Sequence, residues 1–271
     1  MKSPFHFLFA VLAFASTAFA AMNGPTGLAV DASGNLFVSN FNANAVQVYN
    51  PAHKLIRRIS NGVNQPYGLA VDGLGFLHVA NYGGGTVTRY DSTGKLVGTQ
   101  IGFVNPIFLA VDGLSEVWVV DHTLNVLSAW DFYGNPLYSF TATGNPNSVY
   151  YGVAEHAGLL VTLTDNPAAN VFEQMTGDLL HFGASIGGGR PVTGTASAVV
   201  FDNKNNEWVA TSSGAVFLAT NFGSFKRIIA LSYNPGGMAV DEAHKLVYFS
   251  HNINNNVDVY TTAGKLVTTI Q

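Results

Sequence analysis

Apolar and polar residues alternate along most of the chain, which is the pattern of short β-strands with one buried face. The strands come in groups of four, separated by turns rich in Gly, Asn and Pro. In the first group the pattern predicts strands at 27–30, 36–39, 46–49 and 54–59. In the last group it predicts strands at 237–240, 246–250, 257–260 and 265–270.

A short apolar segment that ends in aspartate marks each repeat. Its copies end at Asp31, Asp72, Asp112, Asp202 and Asp241, and the first three aspartates are 41 and 40 residues apart. A degenerate copy, Gly152-Val153-Ala154-Glu155-His156, lacks the aspartate, so its strand limits are the least defined. Repeats of about 40 residues with four strands each predict an all-β fold, a six-bladed β-propeller with four antiparallel strands per blade.

The phase of the repeat also predicts how the ring closes. The first unit begins with its innermost strand and the last unit ends with its outermost strand. We therefore expect every blade to own its four strands, without a strand swapped between the termini. Closure would then depend on apolar packing between the first and last blades.

The repeat motif resembles that of the NHL-repeat family of propellers. The residues that carry the resemblance are Pro25-Thr26-Gly27-Leu28-Ala29-Val30-Asp31 and the corresponding Pro66–Asp72. More distantly, the chain resembles streptogramin lyases and gluconolactonase-like hydrolases. The resemblance implies a propeller, but the repeat is shared by enzymes and by binding proteins, so it does not choose a function.

The N-terminal segment has the features of a signal peptide. Lys2 supplies the positive charge, residues 7–16 are apolar, and Ala18-Phe19-Ala20 fits a cleavage site. We expect residues 1–20 to be removed and 21–271 to form a single propeller domain. The chain contains no cysteine, and export without disulfides suits a secreted or periplasmic protein.

Composition narrows the classes of partner. Only 10% of the residues are charged and the net charge is −4, so no basic face for nucleic acid is expected. No later apolar segment reaches the length of about 20 residues that a membrane span requires. The expected partners are a peptide, a glycan or a protein, and the expected state is a monomer.

Polar residues at the end of the second strand of each unit form the candidate site. In an aligned set of units they are Asn40, Asn81, Asp121, Asp165, Thr211 and His251. One interpretation is a ring of ligand-binding groups, in which oxygen atoms could also hold a divalent cation such as calcium or magnesium. The other interpretation is structural, because Asn and Asp at strand ends often bond to their own loop backbone.

Aromatic residues are predicted to gather on the same face. They are Phe41, Tyr67, Tyr82, Phe108, Tyr150 and Tyr151. Aromatic rings beside Asn and Gly suit stacking against a sugar or a peptide, and we include Tyr67 and Tyr82 in the predicted ligand-binding set. The same residues could instead cover the edges of the blades.

The repeated aspartates are predicted to lie on the opposite face. Most of them precede Gly or Asn, where a carboxylate can accept backbone N–H bonds and stabilise a turn. A residue that recurs in almost every blade is unsuited to catalysis, because a catalytic centre requires a single, asymmetric arrangement of side chains. We therefore expect these aspartates to be structural.

The sequence is compatible with two functions. The first is an exported, non-catalytic propeller that binds a peptide, glycan or protein partner on its channel face. The alternative is a divalent-metal-dependent lyase or lactone hydrolase acting at the central channel. The metal-binding asparagine of gluconolactonase-like enzymes is replaced in Pro235-Gly236-Gly237, and their glutamate has no clear counterpart. The sequence therefore favours the first function and assigns no catalytic residue.

Overall fold

The computed structural model describes the backbone of residues 21–141, 150–156, 159–164, 170–173, 179–181, 196–202, 204, 206–220 and 225–271. Among residues 141–195, the side chain of Val153 is described, and the other described residues of this range are described by their backbone alone. The predicted signal peptide at 1–20 and the candidate ligand Asp165 lie outside the described residues.

The first three sheets each contain four strands. Sheet 1 consists of β1 (Pro25–Val30), β2 (Leu36–Asn40), β3 (Ala45–Tyr49) and β4 (Leu55–Ile59), with a single 3-10 turn at Phe41–Ala43. Sheet 2 consists of β5 (Pro66–Val71), β6 (Leu77–Asn81), β7 (Thr86–Tyr90) and β8 (Leu96–Gln100). Sheet 3 consists of β9 (Pro106–Val111), β10 (Val117–Asp121), β11 (Val126–Trp130) and β12 (Pro136–Thr141).

The remaining strands form three further sheets of the same kind. Sheet 4 consists of β13 (Tyr150–His156), β14 (Leu159–Thr164), β15 (Asn170–Glu173) and β16 (Leu179–His181). Sheet 5 consists of β17 (Ala196–Phe201), β18 (Glu207–Thr211), β19 (Ala215–Ala219) and β20 (Lys226–Ala230). Sheet 6 consists of β21 (Met238–Asp241), β22 (Leu246–His251), β23 (Asn256–Thr261) and β24 (Leu266–Ile270).

Every sheet is antiparallel and is built from four consecutive strands, which confirms the predicted all-β propeller with four antiparallel strands per blade. The first and last described sheets are β1-β2-β3-β4 and β21-β22-β23-β24, so no strand is exchanged between them. Among the described helices, none is long and apolar enough to cross a membrane.

The hydrophobic core lies between neighbouring sheets. One cluster joins Leu36 and Val38 of sheet 1 to Tyr248 and Val257 of sheet 6. Other clusters join sheet 1 to sheet 2, and sheet 5 to sheet 6. Because each sheet buries its apolar faces only against its neighbours, packing between the sheets stabilises the fold. The apolar closure predicted between the first and last sheets is confirmed.

Glycines of the repeat motif lie where the innermost strands of neighbouring sheets approach each other. A Cβ atom at Gly68 would lie 2.6 Å from the Ile107 carbonyl oxygen. At Gly27 it would collide with the Tyr67 carbonyl, and at Gly237 with that of Thr26. The repeated Pro-x-Gly motif therefore reflects a backbone approach that leaves no room for a side chain.

The innermost strands surround a central cavity of about 200 Å³. Neighbouring strands contact one another in the order β1, β5, β9, β13, β17 and β21, and β21 contacts β1. The cavity is lined by apolar residues and glycines from all of these strands or the residue next to them, including Leu28, Leu69, Leu109, Val153 and Met238. The described lining contains no ionisable side chain.

The repeated aspartates hold the turns between first and second strands, as predicted. Asp72 Oδ1 accepts hydrogen bonds from the backbone N–H groups of Leu74 and Phe76, at 2.9 and 2.8 Å. Its Oδ2 lies 3.0 Å from Nε2 of the buried His78. Burial raises the pKa of Asp72, but these hydrogen bonds outweigh it and the pKa is lowered. The same turn recurs at Asp31, Asp112 and Asp202.

We predict that Gly68→Ala lowers the free energy of unfolding by about 1–3 kcal/mol, because the new methyl group forces the innermost strands of two sheets apart. The matched control is Gly73→Ala, since a Cβ at Gly73 would have no atom within 4 Å. The control should change stability by less than about 0.5 kcal/mol. Urea unfolding measures both, and equal losses would contradict the proposed role of the close approach.

Candidate functional site

The two ends of the sheets differ sharply in charge. One side of the sheets carries the loops between second and third strands and the loops that lead into first strands. We call this side the channel face. The described loops on this face, such as 41–44, 60–65, 82–85 and 252–255, contain no Asp, Glu, Lys or Arg. The opposite side, the turn face, carries the repeated aspartates and several lysines. The described loops of the channel face therefore offer amides, aromatic rings and backbone groups, which are uncharged.

The described members of the predicted polar ring lie at the ends of second strands, as the alignment of the units indicated, and four of these five are buried. Asn40, Asn81 and Thr211 are 0% exposed, and Asp121 is 2% exposed. His251 is half-buried. These strand ends are therefore not exposed, and in sheets 1 to 3 the loop that leads into the first strand bonds to Asn40, Asn81 and Asp121. None of the five lines the central cavity.

Three members of this ring hold the loop that precedes the first strand. Asn81 Oδ1 accepts a hydrogen bond from the N–H of Asn64 at 3.0 Å. Asp121 Oδ2 accepts one from the N–H of Val104 at 2.6 Å. Asn40 Oδ1 accepts a hydrogen bond from the N–H of Asn23, also at 2.6 Å. An amide or carboxylate here therefore fixes the position of a channel-face loop.

Thr211 and His251 make different contacts. The Thr211 hydroxyl donates to the Ala215 carbonyl at 3.0 Å. The His251 ring stacks on Tyr233, with the ring centroids 3.7 Å apart and the planes 5° from parallel. The Tyr233 hydroxyl donates to Asp258 at 2.8 Å. Burial, followed by Asp258, raises the pKa of Tyr233, so this tyrosine stays a hydrogen-bond donor.

Four aromatic side chains form a cluster on the channel face. Tyr67 contacts Phe108 edge to face at a centroid distance of 5.3 Å and Phe41 at 6.2 Å. Tyr82 lies 5.9 Å from Phe41 and 6.4 Å from Tyr67. All four rings are half-buried, so each keeps an accessible part. The predicted gathering of these four aromatics is confirmed, while the side chains of Tyr150 and Tyr151 lie outside the described residues.

Burial raises the pKa of Tyr67, and the neighbouring Tyr82 raises it further. The Tyr67 phenol therefore remains protonated near neutral pH and presents an uncharged hydroxyl beside an aromatic face. Such rings combine stacking with hydrogen bonding, which is the pairing that sugars and peptide groups require.

Asparagines in the loops between second and third strands were missed by the sequence reasoning. Asn44, with a φ of 48°, accepts a hydrogen bond from the Gln65 N–H of the next sheet at 2.7 Å. Asn255, with a φ of 54°, accepts one from the Gly24 N–H at 2.7 Å. The signal was present, because an Asn stands just before the third strand in several units. These asparagines were overlooked because the sequence analysis chose the nearby residues at the ends of second strands instead.

No group of three or more His, Asp or Glu residues that could hold a metal ion occurs in the described part of the chain. Since Asp165 lies outside that part, the predicted ligand and cation roles of the ring stay predictions.

Comparison with known proteins agrees with the architecture. The family model for the NHL repeat matches residues 22–49. The chain carries an NHL repeat in a β-propeller fold. A search of curated proteins finds no match.

Solved structures with a similar fold include two lyases. Virginiamycin B lyase from Staphylococcus aureus is 14% identical, with a TM-score of 0.67 over 90% of this chain and 83% of that chain. A streptogramin B lyase is 12% identical, with a TM-score of 0.70 over 93% and 84%. Hydrazine synthase from Kuenenia stuttgartiensis is 16% identical, with a TM-score of 0.65 over 95% and 89%. At these identities the likeness shows the fold alone.

A buried carboxyl group lies at the other end of β18. Glu207 is 1% exposed, and its Oε2 has no hydrogen-bond partner. The corresponding residues of sheets 1 and 2, Leu36 and Leu77, are buried leucines. Burial raises the pKa of Glu207 from 4.5 to about 8. The folded protein therefore holds this residue in its neutral, protonated form at neutral pH.

We predict that Glu207→Gln removes part of the pH dependence of stability. Because the folded-state pKa lies above the unfolded one, Glu207 makes the free energy of unfolding fall as the pH rises from about 4.5 to about 8. The slope is at most about 1.4 kcal/mol per pH unit. Urea unfolding at several pH values should show a smaller fall in the variant. Parallel curves for variant and wild type would contradict the raised pKa.

Proposed function

We propose that the chain is an exported, non-catalytic propeller that binds an uncharged segment of a glycan, peptide or protein partner on its channel face. The observation that carries the proposal is the half-exposed cluster of Phe41, Tyr67, Tyr82 and Phe108 on a face whose described loops carry no charged residue. Aromatic rings beside amide groups supply stacking and directional hydrogen bonds without attracting ions.

The strand-end residues support this function indirectly. Asn40, Asn81 and Asp121 accept hydrogen bonds from backbone N–H groups of loops that lead into first strands. Asn81 holds the loop before Tyr67, and Asp121 holds the loop before Phe108. We propose that these three position the aromatic cluster, and that Tyr67, Tyr82 and His251 contact the ligand.

We further propose that the six sheets act as six blades of one ring. This is supported by the contacts of β1, β5, β9, β13, β17 and β21 around the central cavity. Export rests on the features of residues 1–20 and on the absence of cysteine from the sequence.

The test compares Tyr67→Ala/Tyr82→Ala with the wild type. The probes are a set of neutral oligosaccharides and a set of uncharged peptides containing Phe, Tyr or Trp, with affinity measured by calorimetry. For the probe that binds, the double variant should lose at least about tenfold in affinity, or about 1.4 kcal/mol. The affinity should change little between low and high salt, because the described loops of this face carry no charged residue.

The matched control is Tyr133→Ala. Tyr133 is 86% exposed and lies on the turn face, so its removal tests the loss of a surface tyrosine elsewhere. Equal loss of affinity in both variants, or unchanged affinity in the double variant, would move the binding site away from the aromatic cluster.

A second candidate function is a divalent-metal-dependent lyase or hydrolase on the same face. It is favoured by the His251 ring stacked on Tyr233 beside Asp258, which is an asymmetric arrangement of polar groups. One similar structure is described as a catalytically inactive histidine-to-alanine variant of virginiamycin B lyase with Quinupristin. A histidine on a propeller can therefore be essential to lyase activity in a protein of this fold.

The second candidate predicts that millimolar Ca²⁺ or Mg²⁺ raises the melting temperature, because a ligand that binds the folded state stabilises it. A chelator should reverse the rise, and His251→Ala should leave the rise intact if other groups hold the ion. An unchanged melting temperature with either ion would count against a metal-dependent enzyme and would leave the binding function standing.

A further inference from the structure

A second small cavity lies between sheets 2 and 3. It has a volume of about 100 Å³ and is lined by His78, Arg89, Gly98 and Gln100 of sheet 2 with Phe132 and Tyr133 of sheet 3. The volume corresponds to about three water molecules. The cavity is therefore large enough for a small organic anion and too small for a polymer.

Arg89 brings a positive charge to this cavity without a carboxylate partner. The ion pairs of the described residues are His78–Asp72 and His244–Asp241, and neither includes Arg89. The guanidinium carbon lies 4.1 Å from the ring centroid of Phe132 and 5.2 Å from that of Phe76. Arg89 Nη1 donates to the Phe132 carbonyl at 2.5 Å. The rings and this carbonyl hold the side chain in place, yet they leave its charge without a counter-ion.

The other edge of the guanidinium, formed by Nε and Nη2, faces Gly98. Arg89 Nε is buried and has no hydrogen-bond partner. Gly98 stands opposite on the neighbouring strand, and a Cβ there would lie 3.6 Å from Nε and 3.8 Å from Nη2. The missing side chain leaves space in front of the edge formed by Nε and Nη2. That edge carries two parallel N–H donors, which match the two oxygens of a carboxylate.

The same cavity contains an acceptor that also lacks a partner. Gln100 Oε1 is buried and accepts no hydrogen bond. A bare carboxylate could not satisfy it, because an acceptor needs a donor. A hydroxyl group on the ligand would satisfy it, whereas an ammonium group would be repelled by the nearby guanidinium.

From these four observations we propose that the cavity between sheets 2 and 3 binds a small hydroxycarboxylate. Its carboxylate accepts two hydrogen bonds from Arg89 Nε and Nη2, and its hydroxyl donates to Gln100 Oε1. The site is independent of the proposed channel-face function, since it shares no residue with the aromatic cluster.

The probes are glycolate, which carries the hydroxyl, and acetate, which lacks it, titrated into the whole protein and followed by NMR or calorimetry. Saturable binding at millimolar concentration is expected, with glycolate tighter than acetate. Arg89→Lys should weaken glycolate at least about tenfold, because an ammonium cannot supply the paired donors. Gln100→Leu should abolish the preference for glycolate while leaving acetate binding.

Two further variants separate the site from general effects of charge and folding. Gly98→Val should fill the cavity and block both anions, and its Cβ meets atoms only at ordinary contact distance. Arg58→Lys is the matched control, because Arg58 Nε is also buried and unbonded but Arg58 does not line this cavity. Absence of saturable glycolate binding by the wild type, or equal weakening in the Arg58 variant, would overturn the proposal.

Discussion

The fold depends on how closely the innermost strands of neighbouring sheets approach. At Gly27, Gly68 and Gly237 the backbone of one sheet touches the carbonyl of the next, and a Cβ would collide there. Thr26 strengthens one such approach, since its hydroxyl donates to the Pro66 carbonyl at 3.1 Å. Ser250 donates to the Thr26 carbonyl at 2.6 Å across the closure. Where the motif has Phe108 instead of glycine, the side chain joins the aromatic cluster.

This close approach also explains the shape of the candidate site. It draws the first strands around a narrow apolar cavity, so the polar strand-end residues lie outside the cavity and under the loops. Asn81 and Asp121 then stabilise those loops through backbone N–H bonds. Tyr67 and Phe108 lie in first strands just after the stabilised loops, and Phe41 and Tyr82 begin loops between second and third strands. This anchoring reduces the ordering cost of binding.

Much of the fold could be predicted from the sequence because its determinants are local and repeated. The Pro-x-Gly motif, the alternation of apolar residues and the aspartate turns each recur, so the strands and their order followed from the pattern. Burial of Asn40 and Asn81 could not be predicted, because it depends on a loop distant in sequence that folds over the strand end. The unpaired Nε of Arg89 could not be predicted either, because it depends on a glycine on the neighbouring strand and on Phe132 of another sheet.

The distribution of charge links the two proposed sites to the repeat itself. The turns between first and second strands require an aspartate to accept backbone N–H bonds, so negative charge accumulates on the turn face. The described channel-face loops are held by amides, by Asp121 and by backbone groups, and their own residues are uncharged. On the turn side, Arg89 faces the cavity between sheets 2 and 3, and its guanidinium, which has no carboxylate partner, provides a local positive charge for an anion. A neutral ligand is better matched to the channel face, where the described loops present no charged residue that has to lose its hydration on binding.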